Sequence, residues 1–598
     1  METVENKKIV KGGEFLIKET EAQQVFIPEE FTEEQQMVAQ TCKDFLEKEV
    51  FTRLDEIDSM KNPELMPSLM DKAGELGLLG TSIPEEYGGF GMNFNTSMLV
   101  TEVIGAGHSF AVALSAHTGI GTLPILYYGN EEQKAKYLPK LATGAWKAAY
   151  CLTEPDSGSD ANSGKTKAIL TEDGKHYLIN GQKMWITNGG FADIYIVFAK
   201  IENDKNLSAF IVERSFGGIT MNEEEKKMGI KGSSTRQVFF NDCKVPVENL
   251  LSSRENGFKI AVNILNIGRI KLGAAAIGAC KRIINTAVNY ANERKQFGIS
   301  ISRFGAIKHK IGEMATRTYV SESAAYRAGQ NIEDTMDALI ANGMPEAEAK
   351  LKGVEQFAIE CAILKVHGSE VLDYVADEGV QIYGGMGYSA EAPMDRAYRD
   401  ARINRIFEGT NEINRLLSID MILKRAMKGE LNLMGPAMAI SKEIMSIPDM
   451  DEEEDGLFAA DKKALRNLKK AVLMVAGAAV QKFMLKLSHE QEIIMNIADM
   501  MIEVYASESA ILRTEKLVSQ RGEVSCAHQI DMAKLYLNDA VDKINTAGKN
   551  AINSFAEGDE QRVMLMGLKR FTKLAPINTK ETRRRIADRL IAENKYIF

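Results

Sequence analysis

The chain has 598 residues and a formal net charge of −10, and 45% of its residues are hydrophobic and 26% charged. This composition is typical of soluble, multi-domain proteins, and no uninterrupted apolar run reaches the roughly 20 residues of a membrane span. The acidic balance argues against general nucleic-acid binding, which needs a basic face to displace counterions.

The cysteines and the N-terminus indicate a reducing, cytoplasmic location. The cysteines lie far apart, with no Cys-x-x-Cys pair and no histidines at metal-ligand spacing. We therefore expect free thiols and no metal site. Residues 1–21 mix acids and lysines without a hydrophobic segment, which predicts neither a secretory signal nor a transit peptide.

The order of patterned segments predicts the domains. Helical periodicity begins after a capping box at residues 32–35, gives way to short β-branched runs such as 194–198, and returns after Gly257. The acidic run 449–455 is typical of a solvated linker. We predict an α+β, mainly α fold composed of an N-terminal tail (1–30), an N-terminal helical domain (31–147), a central β domain (148–252), a helical bundle (253–428), a linker (429–460) and a C-terminal helical extension (461–598).

Two segments of the β region could hold a flat ligand. Residues 150–160 run from a strand into a turn dense with hydroxyl and backbone N–H groups, which suits a phosphate or the polar edge of a heterocycle. A β-turn without a ligand is the alternative. In residues 184–190, Trp185 and Thr187 stand two apart, on one face of a strand, and suit a flat ring. A core tryptophan is the alternative there.

Two segments of the bundle could meet an anion or another chain. Arg294, in residues 293–298, could bind a pyrophosphate, or could simply lie at an exposed helix end. The glycines of residues 381–388 allow close approach of the backbone to a ligand or to another chain. They are not a dinucleotide fingerprint, because the third glycine lacks the required spacing.

Glu408 is the candidate catalytic base. It stands between Phe407 and Gly409 at the end of a basic stretch. An apolar residue before it and a residue without a side chain after it allow the carboxylate to be desolvated and still approach a substrate. An ordinary glutamate at a helix end is the alternative.

Taken together, in this order and spacing over about residues 32–424, these motifs resemble the acyl-CoA dehydrogenase family. Segments 265–269, 304–305 and 406–411 and the C-terminal extension are most similar to its very-long-chain branch. The resemblance implies FAD-dependent α,β-dehydrogenation of a fatty acyl-CoA to trans-2-enoyl-CoA in β-oxidation, with electrons passed to electron-transfer flavoprotein. Glu408 would remove the α-proton while the β-hydride passes to flavin N5. The base of another branch corresponds to Gly268, which cannot act as one.

The resemblance also implies the binding residues. Those expected to contact acyl-CoA are Ser159, Asn266, Arg269, Phe407 and Gly409. Those expected to contact FAD are Tyr150, Leu152, Thr153, Ser159, Trp185, Thr187, Arg294, Gln296, Phe297, Gln381, Gly384, Gly385, Thr410 and Asn411. Several of the FAD residues would reach the cofactor of a neighbouring subunit, so a homodimer is expected. A structural salt bridge is the alternative role for Arg269.

The sequence also suggests a length for the acyl chain of the substrate and a place where the protein could contact a membrane. Small residues at 110–117 leave room for a long acyl tail, although they also allow close helix packing. Lysines flank the apolar stretch 471–480, so this helix could lie on an anionic membrane, or could be covered within a bundle.

Two other functions stay open. One is an acyl-CoA oxidase that passes electrons to oxygen. The other is a non-catalytic scaffold, which would have no need for a desolvated base.

Overall fold

Helical regions surround a central β-sheet region in the computed structural model, which describes residues 9–444 and 455–598. The predicted α+β, mainly α fold is confirmed. Most of the acidic run expected to form a linker, residues 449–454, lies outside the described residues.

The N-terminal helical region begins at the predicted capping box. The Thr32 hydroxyl accepts a hydrogen bond from the Gln35 backbone N–H at 3.3 Å, and the Gln35 side chain accepts one from the Thr32 N–H at 2.9 Å. These bonds satisfy donors that would otherwise be free at the helix start. The helices of this region are α1 (Glu33–Phe45), α2 (Leu54–Ser59), α3 (Leu65–Glu75), α4 (Phe94–Gly105), α5 (His108–Ser115), α6 (Leu123–Tyr128) and α7 (Glu131–Thr143).

The central region is one mostly antiparallel sheet. Its strands are β1 (Ala148–Cys151), β2 (Lys167–Leu170), β3 (His176–Thr187), β4 (Ile194–Ile201), β5 (Ser208–Glu213), β6 (Ile219–Met221), β7 (Thr235–Pro246) and β8 (Leu250–Leu251). They follow the order β6-β7-β3-β2-β4-β5-β8, and β1 pairs in parallel with β4. The β3–β7 register shifts between Lys183 and Ile186, where Trp185 has φ +60°. Strand β3 is therefore irregular where a regular alternation of faces was expected.

The helical bundle is built on two long helices. Its elements are α8 (Gly257–Glu293), the hairpin of β9 (Lys295–Gln296) and β10 (Ile299–Ser300), α9 (Gly305–Ala341), α10 (Glu346–Gln356), α11 (Ala358–Tyr383), α12 (Pro393–Ala401) and α13 (Asn411–Met427). Helices α4 and α8 cross in close contact, because a Cβ atom added to Gly105 would lie only 2.2 Å from the carbonyl oxygen of Ala275. This crossing brings the N-terminal helices against the face of α8 that carries Gly268.

The C-terminal extension is a second helical bundle. Its helices are α14 (Met434–Ile444), α15 (Ala459–Phe483), α16 (Gln491–Arg521), α17 (Ala527–Phe555), α18 (Gly558–Phe571) and α19 (Thr579–Glu593). Helix α14 lies within the range 429–460, which was predicted as a linker. The extension buries Ala471, Val472 and Val475 of the apolar stretch expected on α15.

The N-terminal tail packs on the extension of its own chain. The rings of Phe15 and Tyr505 meet edge to face with centroids 4.8 Å apart, and Lys516 Nζ donates to the carbonyl oxygen of Val25 at 2.7 Å. Phe15 and Val25 are buried. The described part of the tail therefore packs into the fold of its own chain.

Among the described residues, three helical segments are long and apolar enough, by length and composition, to cross a membrane: His108–Tyr128, Gly257–Glu293 and Ala459–His489. Inspection of apolar runs missed them because isolated polar and charged residues interrupt each one. In the most apolar stretch of each segment, the fraction buried inside the protein is 72%, 72% and 39%, in chain order. The first two thus form protein interior, whereas the third presents more of its surface.

Candidate active site

Glu408 lies in a tight turn just before α13. Its backbone has φ +59°, and that of Gly409 has φ +81°, a conformation that glycine adopts without strain. The Thr410 hydroxyl caps α13 by accepting from the Ile413 N–H at 3.3 Å. Asn414 Nδ2 donates to the carbonyl oxygens of Glu408 and Gly409 at 3.3 and 2.8 Å. The first turn of α13 thus fixes the backbone that carries the carboxyl group.

Burial dominates the electrostatics of this carboxyl group. It raises the pKa of Glu408 to about 7, although the nearby positive charges of Arg269 and Lys365 act in the opposite direction. Among the described residues, Glu408 Oε2 is buried without a hydrogen-bond partner. A carboxyl group in this state is a strong proton acceptor once it is ionised.

Gly268 of α8 provides the space for this carboxyl group. A Cβ atom added to Gly268 would lie 2.9 Å from Glu408 Oε2, closer than side-chain atoms normally approach. The absence of a side chain at residue 268 therefore lets α8 pass directly beside the carboxyl group.

Arg269, the next residue of α8, holds the main chain of Glu408. Its Nε donates to the Glu408 carbonyl oxygen at 3.2 Å, and its Nη1 donates to Asn266 Oδ1 at 2.8 Å. Within residues 9–444 and 455–598, Arg269 forms no ion pair with a carboxylate. Asn266 and Arg269, both predicted near the acyl thioester, thus lie together beside the candidate base.

A cavity of about 240 Å³ opens beside Glu408. Phe407, Glu408, Gly268 and Thr187 line it, together with residues of α4, α5 and α8. The wall from α5 and the residue after it consists mostly of small side chains, Ala111, Val112, Ser115 and Ala116. Phe110 and His117, which belong to the same predicted pocket segment, do not line the cavity. They pack instead into the protein, where Phe110 contacts the ring of Phe45.

In the loop after β1, some polar side chains hold the loop in place and others remain accessible to a ligand. Glu154 forms a buried ion pair with Lys183 at 2.7 Å, and the Ser157 hydroxyl donates to the carbonyl oxygen of Asp160 at 2.8 Å. These contacts hold the loop in place. Thr153 is half-buried and Ser159 exposed, so these two residues of the predicted set remain accessible to a ligand.

Four further predicted cofactor residues lie on β1 and β3 or directly after β1. The indole of Trp185 is 52% exposed, and Thr187 lines the Glu408 cavity. Tyr150 and Leu152 are buried. Burial and the charge of Glu408 raise the pKa of Tyr150, and its hydroxyl has no hydrogen-bond partner in the described part of the chain.

Six further predicted cofactor residues lie on a separate surface at the end of α8. The rings of Tyr290 and Tyr383 stack with centroids 3.9 Å apart, which joins the end of α8 to the end of α11. The predicted residues of this surface are all exposed, and none lines the Glu408 cavity: Arg294, Gln296, Phe297, Gln381, Gly384 and Gly385.

Asn411, predicted as a cofactor contact, forms side-chain hydrogen bonds within the protein. It is buried, its Oδ1 accepts from Lys365 Nζ at 2.7 Å, and its Nδ2 donates to Ser369 Oγ and Glu370 Oε1, each at 3.1 Å. Its side-chain amide is therefore occupied within the protein. Sequence reasoning also missed Lys365, although a lone lysine within the apolar run 361–366 was a visible signal.

Comparison with known proteins assigns the family. Models of the acyl-CoA dehydrogenase N-terminal, middle and C-terminal domains match residues 32–145, 149–243 and 255–423, and a further acyl-CoA dehydrogenase C-terminal model matches 467–570. The chain belongs to the acyl-CoA dehydrogenase family.

The enzyme is similar to named relatives and to solved structures of this family. A probable acyl-CoA dehydrogenase of Bacillus subtilis is 46% identical over 588 residues, covering 98% of each chain. The mitochondrial very long-chain specific acyl-CoA dehydrogenase of Rattus norvegicus is 46% identical over 352 residues, covering 57% of this chain and 51% of that protein. The crystal structure of a Bacillus anthracis acyl-CoA dehydrogenase complexed with FAD has a TM-score of 0.96 and 46% identity, covering 98% of this chain and 100% of that one.

Proposed function

We propose that this enzyme uses FAD to dehydrogenate long-chain acyl-CoA thioesters between Cα and Cβ, and that electron-transfer flavoprotein accepts its electrons. One observation carries the proposal: the Glu408 carboxyl group, with its pKa raised to about 7, faces an apolar cavity with an oxygen that has no partner among the described residues. The small side chains of the α5 wall support a long acyl group.

Glu408 serves as the general base. The C–H group next to a thioester is only weakly acidic, so its proton needs an acceptor of high proton affinity. A pKa of about 7 supplies that affinity and leaves a large fraction of the carboxylate ionised near neutral pH. The proton passes from the substrate Cα to Glu408 Oε2, and Gly268 leaves room for that oxygen.

The backbone N–H of Glu408 is a candidate donor to the thioester carbonyl group. It makes no hydrogen bond with another group in the part of the chain that the structure describes. Arg269 and Asn414 hold the carbonyl oxygen of the same residue, which fixes the backbone on the C-terminal side of this N–H. An N–H donor at this place would stabilise the charge that develops on the thioester oxygen when the α-proton leaves.

Residues around the cavity fit a bound FAD. The exposed indole of Trp185 offers a flat apolar surface, Thr187 lines the cavity, and the Tyr150 hydroxyl has an unused hydrogen-bonding capacity. Thr153 and Ser159 would hold polar edges of the cofactor. When bound, FAD supplies the two-electron acceptor for the hydride that leaves Cβ.

A second copy of the chain would complete the cofactor site. Phe297 is 95% exposed, and a Cβ atom added to Gly384 or Gly385 would meet nothing within 4 Å. An open surface of this kind suits the adenine end of an FAD molecule held by a neighbouring subunit. We therefore include a homodimer in the proposal.

Peripheral membrane contact is a further part of the proposal, with the enzyme otherwise cytoplasmic. Lys469 pairs with Glu508, and Lys470 pairs with Glu443 at 2.8 Å, so these lysines serve internal contacts. Lys482, Met484, Leu485 and Lys486 are exposed at the end of α15. Cations beside exposed apolar side chains suit an anionic membrane surface. Liposome flotation tests this: no lipid binding at either low or high salt would contradict it.

The reaction is tested by anaerobic addition of butanoyl-, octanoyl- and hexadecanoyl-CoA to the holoenzyme while flavin absorbance is followed. We expect bleaching, fastest with the longest chain. Failure of all three to bleach the flavin would refute the proposed reaction. Hydrogen peroxide at one equivalent per turnover in air would identify an oxidase and contradict the proposed electron acceptor.

A further inference from the structure

A lysine lies in the wall of the Glu408 cavity. Lys271 follows Gly268 by three residues on α8, so both residues face the same side of the helix. Both line the cavity. Three residues of helix correspond to a rise of about 4.5 Å, so Lys271 lies nearly one turn from Gly268, toward the C-terminal end of α8.

The ammonium group of Lys271 is only partly satisfied. Its Nζ donates to Ser97 Oγ at 2.7 Å, and no carboxylate of residues 9–444 or 455–598 forms an ion pair with it. An ammonium group has three N–H donors, so two remain for a ligand. Burial lowers the pKa of Lys271 to about 8, as expected for a cation held away from water without an opposite charge.

Neighbouring polar groups do not supply the missing partner. The hydroxyl groups of Thr101 and Thr118, which also line the cavity, donate to carbonyl oxygens of their own helical segments at 2.8 and 3.0 Å. The Asp400 carboxylate, at another part of the wall, accepts from the Ile230 N–H and lies 2.9 Å from Nδ1 of His108. Lys271 is thus a charged donor in the cavity wall, and the hydroxyl groups of Thr101 and Thr118 and the Asp400 carboxylate have partners of their own.

We propose that Lys271 recognises a carboxylate at the distal end of the acyl group, so that at equal chain length the enzyme prefers dicarboxylic mono-CoA thioesters to plain acyl-CoA. This inference rests on the proposed function and names a substrate class for it. A methyl-ended chain would leave the remaining N–H donors of the buried ammonium group without an acceptor. A carboxylate would supply that acceptor through a charge-assisted hydrogen bond.

The test compares hexanedioyl, octanedioyl and decanedioyl mono-CoA with hexanoyl-, octanoyl- and decanoyl-CoA on the holoenzyme. At the best-fitting length, we expect kcat/KM to be at least tenfold higher for the carboxylate-ended substrate. The Lys271→Met variant, which keeps the volume and removes the charge, should reverse this preference. Lys271→Arg should retain it, and Lys549→Met, an exposed lysine of α17, should leave it unchanged.

Binding provides a second readout that is independent of turnover. CoA thioethers ending in a methyl or a carboxylate group have no thioester and cannot react, so calorimetry measures recognition alone. We expect the carboxylate-ended thioether to bind at least tenfold tighter to wild type, and the difference to vanish in Lys271→Met. If a CoA thioether whose chain ends in a hydroxyl group binds as tightly as the carboxylate-ended thioether, Lys271 does not select an anionic end group.

The outcomes separate this inference from the proposed function. Plain acyl-CoA could bleach the flavin while the wild type shows no preference for carboxylate-ended substrates and binds both thioethers equally well. That result would overturn the inference about Lys271 and leave the proposed reaction intact. If no acyl-CoA bleaches the flavin, the proposed reaction is refuted. The affinities of the two thioethers would still decide whether Lys271 binds a carboxylate.

Discussion

At the scale of single residues, the contact between Gly268 and Glu408 sets the position of the candidate base. Gly268→Ala would place a methyl group 2.9 Å from Glu408 Oε2, so the carboxyl group would have to move. We expect kcat/KM for acyl-CoA to fall by about tenfold or more, because small displacements of a reacting group are costly. Steady-state kinetics measures the effect.

The matched control is Gly477→Ala on α15, where the added Cβ would meet Ala437 at an ordinary 3.4 Å. This change should leave kcat/KM unchanged and should slightly favour the helix. Wild-type activity in Gly268→Ala, with FAD bound, would show that the carboxyl position does not depend on this contact.

The sequence indicated some of these residues better than others. A desolvated Glu408 could be anticipated from its neighbours Phe407 and Gly409, and the structure does bury it and raise its pKa. Lys271 was missed, because sequence periodicity does not show which polar residue of a long helix faces a cavity. Lys365 was missed although it is the one lysine within its apolar run. The internal bonds of Asn411 could not be foreseen either, since they depend on the packing of α11 against α13.

At the scale of elements, Arg513 joins three parts of the chain. This buried arginine of α16 pairs with Glu29 of the tail at 2.6 Å and with Glu322 of α9 at 2.7 Å. Its guanidinium group also lies over the ring of Tyr319, 4.2 Å from the centroid. Arg513→Met would leave two carboxylates without this partner, so we expect a loss of about 3–5 kcal/mol of stability, measured by denaturant unfolding.

Arg562→Met is the control, because Arg562 is exposed on α18 and pairs only with the exposed Asp559 among the described residues. It should change the free energy of unfolding by less than about 1 kcal/mol. Equal effects of the two substitutions would contradict the view that Arg513 clamps the extension to the core.

The elements themselves were largely predictable. The capping box at Thr32 and the return of helical structure at Gly257 agree with their sequence signals, because caps and helical periodicity are local properties. The irregularity of β3 at Trp185 was not predictable, since a register shift arises from pairing with β7. The helix α14 was missed because the acidic run that follows it is typical of a linker.

At the scale of the whole molecule, the exposed surface at the end of α8 bears on assembly. Phe297 and Tyr388 are 95% and 92% exposed there, so two large aromatic side chains of this surface face solvent in the single chain. If a second copy covers this surface, Phe297→Asp should convert the dimer to monomer and weaken FAD retention. Light scattering coupled to gel filtration, with flavin absorbance recorded, measures both.

Val524→Asp is the matched control, because Val524 is 93% exposed between α16 and α17, away from this surface. It should leave the oligomeric state and the flavin content unchanged. A Phe297→Asp protein that keeps the wild-type mass and flavin content would contradict the proposed interface.

The central claim is that Glu408 removes the α-proton of an acyl-CoA. Its most direct measurement is anaerobic single-turnover flavin reduction by hexadecanoyl-CoA, with and without deuterium at the α-carbon, in wild type and Glu408→Gln. We predict that wild-type reduction is slowed by deuterium and that kcat/KM rises as pH passes through about 7, because the carboxyl group must be ionised to act as base. Glu408→Gln should bind the substrate but reduce flavin at least about 100-fold more slowly. Reduction by Glu408→Gln at the wild-type rate would contradict the claim.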